Sequence, residues 1–484
     1  MIKDKNISLS PEILLEIEAA LNYPHFYKTP VGATLNDVLV VALCNAKRTW
    51  SWRAIIGDYA RYLYQYFHQP FTASKDFTHY KDRIVFTWLF DRSDLKAFVT
   101  PLLKNYKLDE SVVLAPLFSM QAQLPDQTAF VVWDEFPKID MKEWRSEFSR
   151  CLPVWELRLT KVLKAHSVPQ YVARFLLRHL QLQTQRVMSS ILFLEQVTPK
   201  IIVTEYDRNA QASCLILAAN LRGIPSITMV HSSVMETYPS YGLAPLLANY
   251  VCCWGEGHRQ KFISYGVANH DQLVVTGCQG ITRSLDAEKE SSCLKVGLST
   301  LRPVVLLATS PIKLEDRMHY AWLFCRAMSG LPEVSAIVRL HPAENISEYK
   351  GLASEFKNIT FFSNNSMTRD ESLIVSDIIV NHESSFGTDA LLKGKLVVIL
   401  DVLKTPLNIG RQLIEFAGCP SAKSADELES VIRKIIVDDD WKKTLHEKAE
   451  QYALQYCESY GQEAVENICQ VINNAIDSHQ QRAV

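Results

Sequence analysis

The residues of this sequence best suited to binding a phosphate form three polar clusters in its second half, each directly after an apolar segment. The clusters are Thr309-Ser310, Arg339 with His341, and Ser384-Ser385. Hydroxyl groups, a guanidinium and an imidazole all donate hydrogen bonds to phosphate oxygens, and the start of a helix adds a favourable dipole. Taken singly, His-Pro could end a strand and Ser-Ser could cap a helix. Their recurrence at matching positions favours a nucleotide-type phosphate site.

Gly387 and Asp389, which follow the last cluster, refine this predicted site. Gly387 would let the backbone approach a ligand closely, because glycine has no side chain. Asp389 lies so near the start of the following helix that its charge disfavours the phosphate itself, and it is better placed for a sugar hydroxyl. The candidate site therefore extends from a phosphate to a sugar.

A group transfer onto a hydroxyl also needs a carboxylate as general base on the opposite side of a cleft. In the first half of the chain five carboxylates follow apolar segments, and any of them could instead cap a helix or be solvated. They are Asp91, Asp134, Glu135, Glu205 and Asp207. His231, followed by two serines, ends a further apolar segment and is a candidate for the same cleft.

Several other kinds of site are disfavoured. No Asp-x-Asp pair follows an apolar segment, so we expect a metal-independent reaction, with no metal ligand and no cofactor apart from the donor. The 11 cysteines lack the spacing of a disulfide framework or zinc site and indicate reduced thiols in a cytosolic protein. The formal net charge of -2 gives no reason to expect nucleic-acid binding. No apolar run approaches the roughly 20 residues of a membrane span.

Alternating short apolar segments and helix-like segments must position these clusters. Such alternation predicts parallel sheets covered by helices, and parallel sheets bind ligands at the carboxyl ends of their strands. A polar stretch near residue 290 suits a linker, after which the pattern restarts. Local signals also predict a helix over 210–221 that ends at Gly223, and further helices with Ser424 or Asp426 near one start and Asp438–Asp440 near the next. We predict a helical N-terminal extension (1–80), a Rossmann-like acceptor domain (81–290), a Rossmann-like nucleotide-sugar donor domain (291–460) and a C-terminal helix (461–484).

Residues 195–460 resemble the GT-B glycosyltransferases of bacterial surface-polysaccharide synthesis. The similarity lies in RLHP, ending at Pro342, and in ESSFGTDALLKGKLVVIL, which begins at Glu383. The pair of motifs is most similar to enzymes that use CMP-activated acidic sugars, namely bacterial sialyltransferases, Kdo transferases and pseudaminic or legionaminic acid transferases. It also resembles the CDP-glycerol and CDP-ribitol polymerases of teichoic acid. The resemblance implies two Rossmann-like domains facing a cleft.

The resemblance also implies roles for individual residues. His341 would contact the CMP phosphate as electrostatic stabiliser or acid, Ser384 and Ser385 would hold the same phosphate, and Asp389 would contact the ribose. Ser310 and Arg339, which lie at the ends of predicted strands in the second domain, complete the predicted donor-binding set.

The base in the sialyltransferases is a carboxylate of the first domain, often in an acidic pair followed by glycine. The pair Asp134-Glu135 matches this pattern except that Phe136 replaces the glycine, and Asp207 is an equally weighted alternative. In the related pattern a histidine at the place of His231 is followed by glycine, where this chain has Ser232. The carboxylate of an acidic sugar would need a cation, which Arg339 or Arg208 could supply.

The sequence thus predicts a glycosyltransferase that moves an acidic sugar from a CMP donor to a glycan or lipid-linked glycan. We expect a cytoplasmic protein, with peripheral association at the inner face of a membrane as an option. Three alternatives stay open: a CDP-polyol phosphotransferase, a UDP-N-acetylglucosamine 2-epimerase-like isomerase, and a nucleotide-binding module without activity. The long extension and the absence of Gly-Gly in place of Ser-Ser argue against the isomerase.

Overall fold

Two parallel β-sheets, each covered by helices, organise the chain and confirm the predicted fold class. A computed structural model describes residues 11–35, 75–89, 93–168, 170–230, 246–280, 287–310, 312, 314–341, 344–363, 365–382, 384–402 and 409–483. Valine- and isoleucine-rich segments without alternation form the strands, because both faces of such a sheet are buried.

The first sheet has seven strands in the order β3-β2-β1-β4-β5-β6-β7. Its strands are β1 (Ile84–Thr87), β2 (Ser111–Ala115), β3 (Phe130–Val132), β4 (Ile201–Thr204), β5 (Ser226–Met229), β6 (Tyr250–Cys253) and β7 (Leu273–Val275). The accompanying helices are α1 (Pro11–Asn22), α2 (Ser93–Leu103), α3 (Met141–Ala165), α4 (Tyr171–Val197), α5 (Ala210–Leu221) and α6 (Glu256–Ser264). Successive strands are added on one side from β1 to β3 and on the other from β4 to β7, so the topology switches between β1 and β4.

The second sheet has six strands in the order β10-β9-β8-β11-β12-β13. Its strands are β8 (Val304–Ala308), β9 (Ser335–Arg339), β10 (Ile359–Phe362), β11 (Ile378–Asn381), β12 (Leu396–Leu400) and β13 (Ser421–Ala422). Its helices are α7 (Ala287–Lys295), α8 (Leu314–Ser329), α9 (Lys350–Glu355), α10 (Arg369–Val375), α11 (Phe386–Leu392), α12 (Ile409–Ala417), α13 (Ala425–Val437) and α14 (Asp439–Tyr456). Here the topology switches between β8 and β11.

Several local predictions are confirmed. The predicted helix over 210–221 is α5, and Gly223 follows it with φ +68°, a left-handed conformation that glycine adopts without strain. Ser424 and Asp438 cap the starts of α13 and α14. The polar stretch predicted as a linker differs, because it contains helix α7, which packs against α10 and is joined to it by an ion pair between Lys295 and Glu371.

The N-terminal extension packs on the helices of the first sheet. Ile17 and Leu21 of α1 share one buried cluster with Trp155 of α3 and Leu180 of α4. A short 3₁₀ helix at Val31–Leu35 also contacts α4 and α5. The extension is therefore part of the first domain's core wherever the structure describes it.

The end of the chain returns to the first domain. After α14, Ser459 accepts a hydrogen bond from the backbone N–H of Cys278 at 2.9 Å. Gly277 has φ +87°, and a Cβ at this position would lie 2.1 Å from Ser459 Oγ, so only glycine fits there. The last helix, α15 (Gly461–Ala483), then packs against α2 and β4.

None of the helices that the structure describes is both long enough and apolar enough to span a bilayer.

Candidate functional site

The three polar clusters predicted to bind a phosphate lie at the ends of adjacent strands. Thr309 and Ser310 follow β8, His341 follows β9, and Ser384 follows β11, while β9, β8 and β11 are consecutive in the sheet. The switch point between β8 and β11 is the position at which open α/β sheets bind ligands. We call these strand ends, with Arg339 and Ser385, the phosphate rim.

A buried hydrogen-bond network fixes the ends of β8 and β9. The backbone N–H of His341 donates to Thr309 Oγ1 at 2.9 Å, and Thr309 Oγ1 donates to Glu344 Oε2 at 2.7 Å. Tyr349 also donates to this oxygen, at 2.8 Å. Burial raises the pKa of Glu344, although the hydroxyl of Thr309 and the guanidinium of Arg317 oppose that shift. Sequence reasoning missed Glu344, whose only signal was an acid three residues after His341.

Two arginines make the phosphate rim cationic. Arg339 is 7% exposed, its guanidinium lies 5.8 Å from the ring centroid of Phe386, and its Nε donates to the Met367 carbonyl at 3.4 Å. Burial and the neighbouring charge of Arg369 lower the pKa of Arg339 to about 10, so it stays protonated at neutral pH. Arg369 was not predicted. It occupies the first turn of α10, where the helix dipole disfavours a cation.

An ion pair between Arg369 and Asp389 offsets that disfavoured position. Asp389 is 6% exposed and lies in the first turn of α11. The ribose contact predicted for Asp389 stays a prediction, and it requires the carboxylate to be shared between the ribose and Arg369.

Ser384 and Ser385 stand where α11 begins. Ser384 Oγ accepts a hydrogen bond from the Phe386 N–H at 3.2 Å, so this hydroxyl serves the local turn. Ser385 makes no side-chain capping bond. The expectation for Gly387 needs correction: a Cβ there would lie 2.5 Å from Asn381 Nδ2 and 2.7 Å from Leu413 Cδ1. The space that glycine leaves is thus filled by protein side chains rather than kept for a donor.

At the corresponding switch point of the first sheet, a buried carboxylate joins the ends of β1 and β4. Glu205 is 1% exposed; its Oε1 accepts from the Leu89 N–H and its Oε2 accepts from Thr87 Oγ1 at 2.8 Å. Burial raises the pKa of Glu205 to about 7, against the lowering effect of these hydrogen bonds. A carboxylate with this pKa is suited to accept a proton near neutral pH.

Asp207, one of the two predicted bases, holds a loop. Its Oδ2 accepts from the backbone N–H groups of Leu247 and Ala248 at 2.6 and 2.7 Å, and burial raises its pKa to about 6. Next to it, Arg208 is fully buried and forms an ion pair of 2.7 Å with Glu18 of α1. The N-terminal extension thus fixes the loop after β4, and Arg208 has a carboxylate partner from the protein itself.

Glu135, the other predicted base, lies at the outer edge of the first sheet with Asp134. Both follow β3, which is separated from β4 by β2 and β1. Glu135 Oε1 forms an ion pair with Lys75 at 2.7 Å, and Asp134 is exposed. The structure therefore does not bring this pair to the switch point. His231 and Asp91 lie outside the described residues.

The phosphate rim approaches the carboxyl edge of the first sheet, the opposite rim of the cleft, at Cys278, just after β7. Burial raises the pKa of the Cys278 thiol; the nearby charge of Asp389 also raises it and that of Arg369 lowers it. The ion pair of the phosphate rim therefore lies close to the carboxyl edge of the first sheet, which places both rims on one cleft. Within the described ranges no cluster of three or more histidine, cysteine or acidic side chains could hold a metal ion.

No protein-family model matches this sequence. No curated protein matches it either. Among solved structures, S. aureus MnaA in a co-structure with UDP is 12% identical, with a TM-score of 0.52, over 82% of this chain and 97% of that one. The UDP-GlcNAc 2-epimerase from Neisseria meningitidis bound to UDP-GlcNAc is also 12% identical, with a TM-score of 0.52, over 81% of this chain and 100% of that one. The chain has the GT-B fold. Its two switch points are accordingly the facing halves of a GT-B cleft.

Proposed function

We propose that this protein is a glycosyltransferase that binds the phosphate of a nucleotide sugar at the phosphate rim. The observation that carries the proposal is the cationic, hydroxyl-rich end of three adjacent strands at the switch point of the second sheet. Arg339, held in place by burial and by the Met367 carbonyl, is preorganised for an anion and loses little entropy on binding it.

In the proposed reaction a hydroxyl of the acceptor glycan attacks the anomeric carbon of the donor sugar. The bond between that carbon and the nucleotide phosphate breaks, and the phosphate leaves with the bonding electron pair. Arg339 and the imidazole of His341 stabilise the charge that develops on the phosphate oxygens. We therefore propose that the reaction needs no metal ion and no cofactor apart from the nucleotide-sugar donor.

The acceptor hydroxyl loses its proton to a carboxylate of the first domain. We propose Glu205 for this role because it stands at the switch point and its pKa is about 7. Asp207 and Glu135, predicted from the sequence, stay alternatives to be tested, but Asp207 holds a loop and Glu135 lies three strands away from β4.

For the donor we propose a CMP-linked acidic sugar, on the strength of the His-Pro and Ser-Ser motifs. Arg339 or Arg369 would face the sugar carboxylate, since Arg208 already pairs with Glu18. The acceptor would be a glycan or a lipid-linked glycan, reached from the cytoplasmic side of a membrane. A CDP-polyol phosphotransferase would use the same phosphate rim and transfer the phosphate together with the polyol.

One observation favours a second candidate function. The solved structures of similar fold include a 2-epimerase bound to UDP-GlcNAc, and this chain covers the whole of that enzyme. In an isomerase a carboxylate such as Glu205 would remove a proton from the sugar, and no acceptor would be needed.

Thermal shift with CMP, CDP and UDP tests the proposal, repeated with His341→Ala. Stabilisation by CMP that is lost in the variant supports the CMP-sugar transferase. Stabilisation by UDP alone would exclude that donor, and turnover of UDP-GlcNAc without an acceptor would identify the isomerase. If no nucleotide stabilises the protein, the phosphate rim is not a nucleotide site.

A further inference from the structure

A second basic site lies at the opposite edge of the second sheet from the phosphate rim. There, at the starts of β8, β11 and β12, is a cavity of about 450 Å³, a size typical of small-molecule sites. Five of its lining residues are lysine or arginine, and His446 also lines it; the five are Lys289, Arg302, Lys393, Lys395 and Lys442. Strands of four or five residues separate it from the phosphate rim, a distance of about 13–16 Å at 3.3 Å per residue.

The carboxylates around this cavity do not balance its cations. Asp377 is the one acid among the lining residues that the structure describes; it pairs with Lys289 and accepts from the Val304 N–H at 2.9 Å. Lys393 lies 3.5 Å from Asp370, which is 65% exposed and not part of the lining. Two of the five cations, Lys289 and Lys393, are therefore paired with a carboxylate.

Two of the cavity's lysines are held in place by the protein, whereas Arg302 and Lys442 are exposed. The side chain of Lys393 is only 3% exposed. Lys395 donates to the Ile374 carbonyl at 3.3 Å, which holds its ammonium group in place. Among the described residues no carboxylate lies within ion-pair distance of Arg302 or Lys442. Like charges collected in a recess repel each other and disfavour the folded state unless an anion joins them.

We propose that this cavity binds a phosphate-bearing small molecule at a site separate from the donor site. Guanidinium and ammonium groups in combination suit phosphate oxygens. The phosphate group could belong to a soluble compound or to a lipid headgroup presented at a membrane surface. Neither source depends on the function proposed for the phosphate rim.

Calorimetric titration of the full chain with inorganic pyrophosphate at low ionic strength tests this site. The double variant Arg302→Glu/Lys442→Glu, called the cavity variant, reverses two exposed charges of the cavity. The matched control, Lys357→Glu with Lys443→Glu, makes the same change in net charge at exposed positions outside the cavity. We expect the affinity for pyrophosphate to fall by about tenfold or more in the first variant, because two attractive charges become repulsive, and to change much less in the control.

Flotation with vesicles that contain phosphatidic acid distinguishes the two sources. Vesicle binding that the cavity variant alone loses identifies a lipid headgroup, whereas pyrophosphate binding without vesicle binding identifies a soluble phosphate. His341→Ala should leave the cavity's affinity unchanged, which separates this test from that of the donor site. Equal binding of pyrophosphate and of vesicles by the cavity variant and the control would overturn the proposal.

Discussion

The two switch points of this molecule share one topology and have opposite chemistry. Between β1 and β4 the structure places Glu205, a carboxylate withdrawn from water, with backbone and hydroxyl donors around it. Between β8 and β11 it places hydroxyl groups, and Arg339 and Arg369 lie beside them. The same fold position thus carries a buried carboxylate in the first sheet and cationic side chains in the second.

This contrast follows from the residues that surround each site. Burial disfavours the charged form of both Glu205 and Arg339, so the pKa rises for the acid and falls for the base. The carboxylate therefore titrates near neutral pH, whereas the arginine keeps its charge. The first switch point is also supported by the N-terminal extension through the pair of Glu18 and Arg208, and the second has no such attachment among the described residues.

Among the substitutions that test this contrast between the two switch points, Glu205→Gln should have the largest effect. If Glu205 is the base, the transfer rate falls by about 10²–10⁴-fold while nucleotide affinity stays within about twofold. Steady-state rates and nucleotide titrations check this. Glu135→Gln is the control at the sheet edge and should leave the rate nearly unchanged; a large loss from Glu135→Gln or Asp207→Asn, with Glu205→Gln active, would restore the assignment made from the sequence.

Breaking the support of the first switch point should reduce stability almost as strongly. Glu18→Ala leaves the buried guanidinium of Arg208 without its carboxylate, and loss of one partner of a buried pair costs about 3–5 kcal/mol. Glu16→Ala on the same helix is the matched control. Glu16 is 51% exposed and its contact with His166 should contribute less than about 1 kcal/mol. Equal melting temperatures for the two variants would show that the extension does not stabilise this loop.

The raised pKa of Glu205 makes stability depend on pH. Because the folded protein holds this proton up to about pH 7 and the unfolded chain releases it near pH 4.5, the stabilising contribution is complete below pH 4.5 and is lost as the pH rises through 7. The loss amounts to about 3 kcal/mol for a shift of about 2.5 pH units. The melting temperature of the wild type minus that of Glu205→Gln should therefore be lower at pH 8 than at pH 5.

If the difference in melting temperature between wild type and Glu205→Gln is the same at both pH values, Glu205 has an ordinary pKa. The transfer rate should rise with pH through about 7 for the same reason, since the base must be deprotonated.

A smaller effect is expected from Gly387→Ala at the second switch point. The new methyl group would meet Asn381 and Leu413, and overpacking of this kind costs about 1–3 kcal/mol. Gly351→Ala, where nothing lies within 4 Å, should not destabilise the protein. Denaturation of both variants checks this. A loss of nucleotide affinity in Gly387→Ala without a loss of stability would show that the glycine admits the donor after all.

The elements that carry the site could be predicted because their signals are local. Buried strands, the helix over 210–221 and the polar clusters after β8, β9 and β11 can all be recognised within short windows of sequence. The contacts that decide which acid matters could not be predicted in this way. Glu205 meets Thr87 and Leu89 only after β1 and β4 pair, and Arg208 meets Glu18 from 190 residues away.

Titration of CMP and UDP into wild type and Arg339→Met tests the central claim most directly. Arg326→Met, an exposed arginine on α8 of the same domain, is the control. Loss of a charge-assisted hydrogen bond to phosphate should weaken nucleotide binding by about 10- to 100-fold in Arg339→Met, whereas Arg326→Met and Glu205→Gln keep wild-type affinity. Unchanged affinity in Arg339→Met would contradict the account, because the nucleotide phosphate would then lie elsewhere.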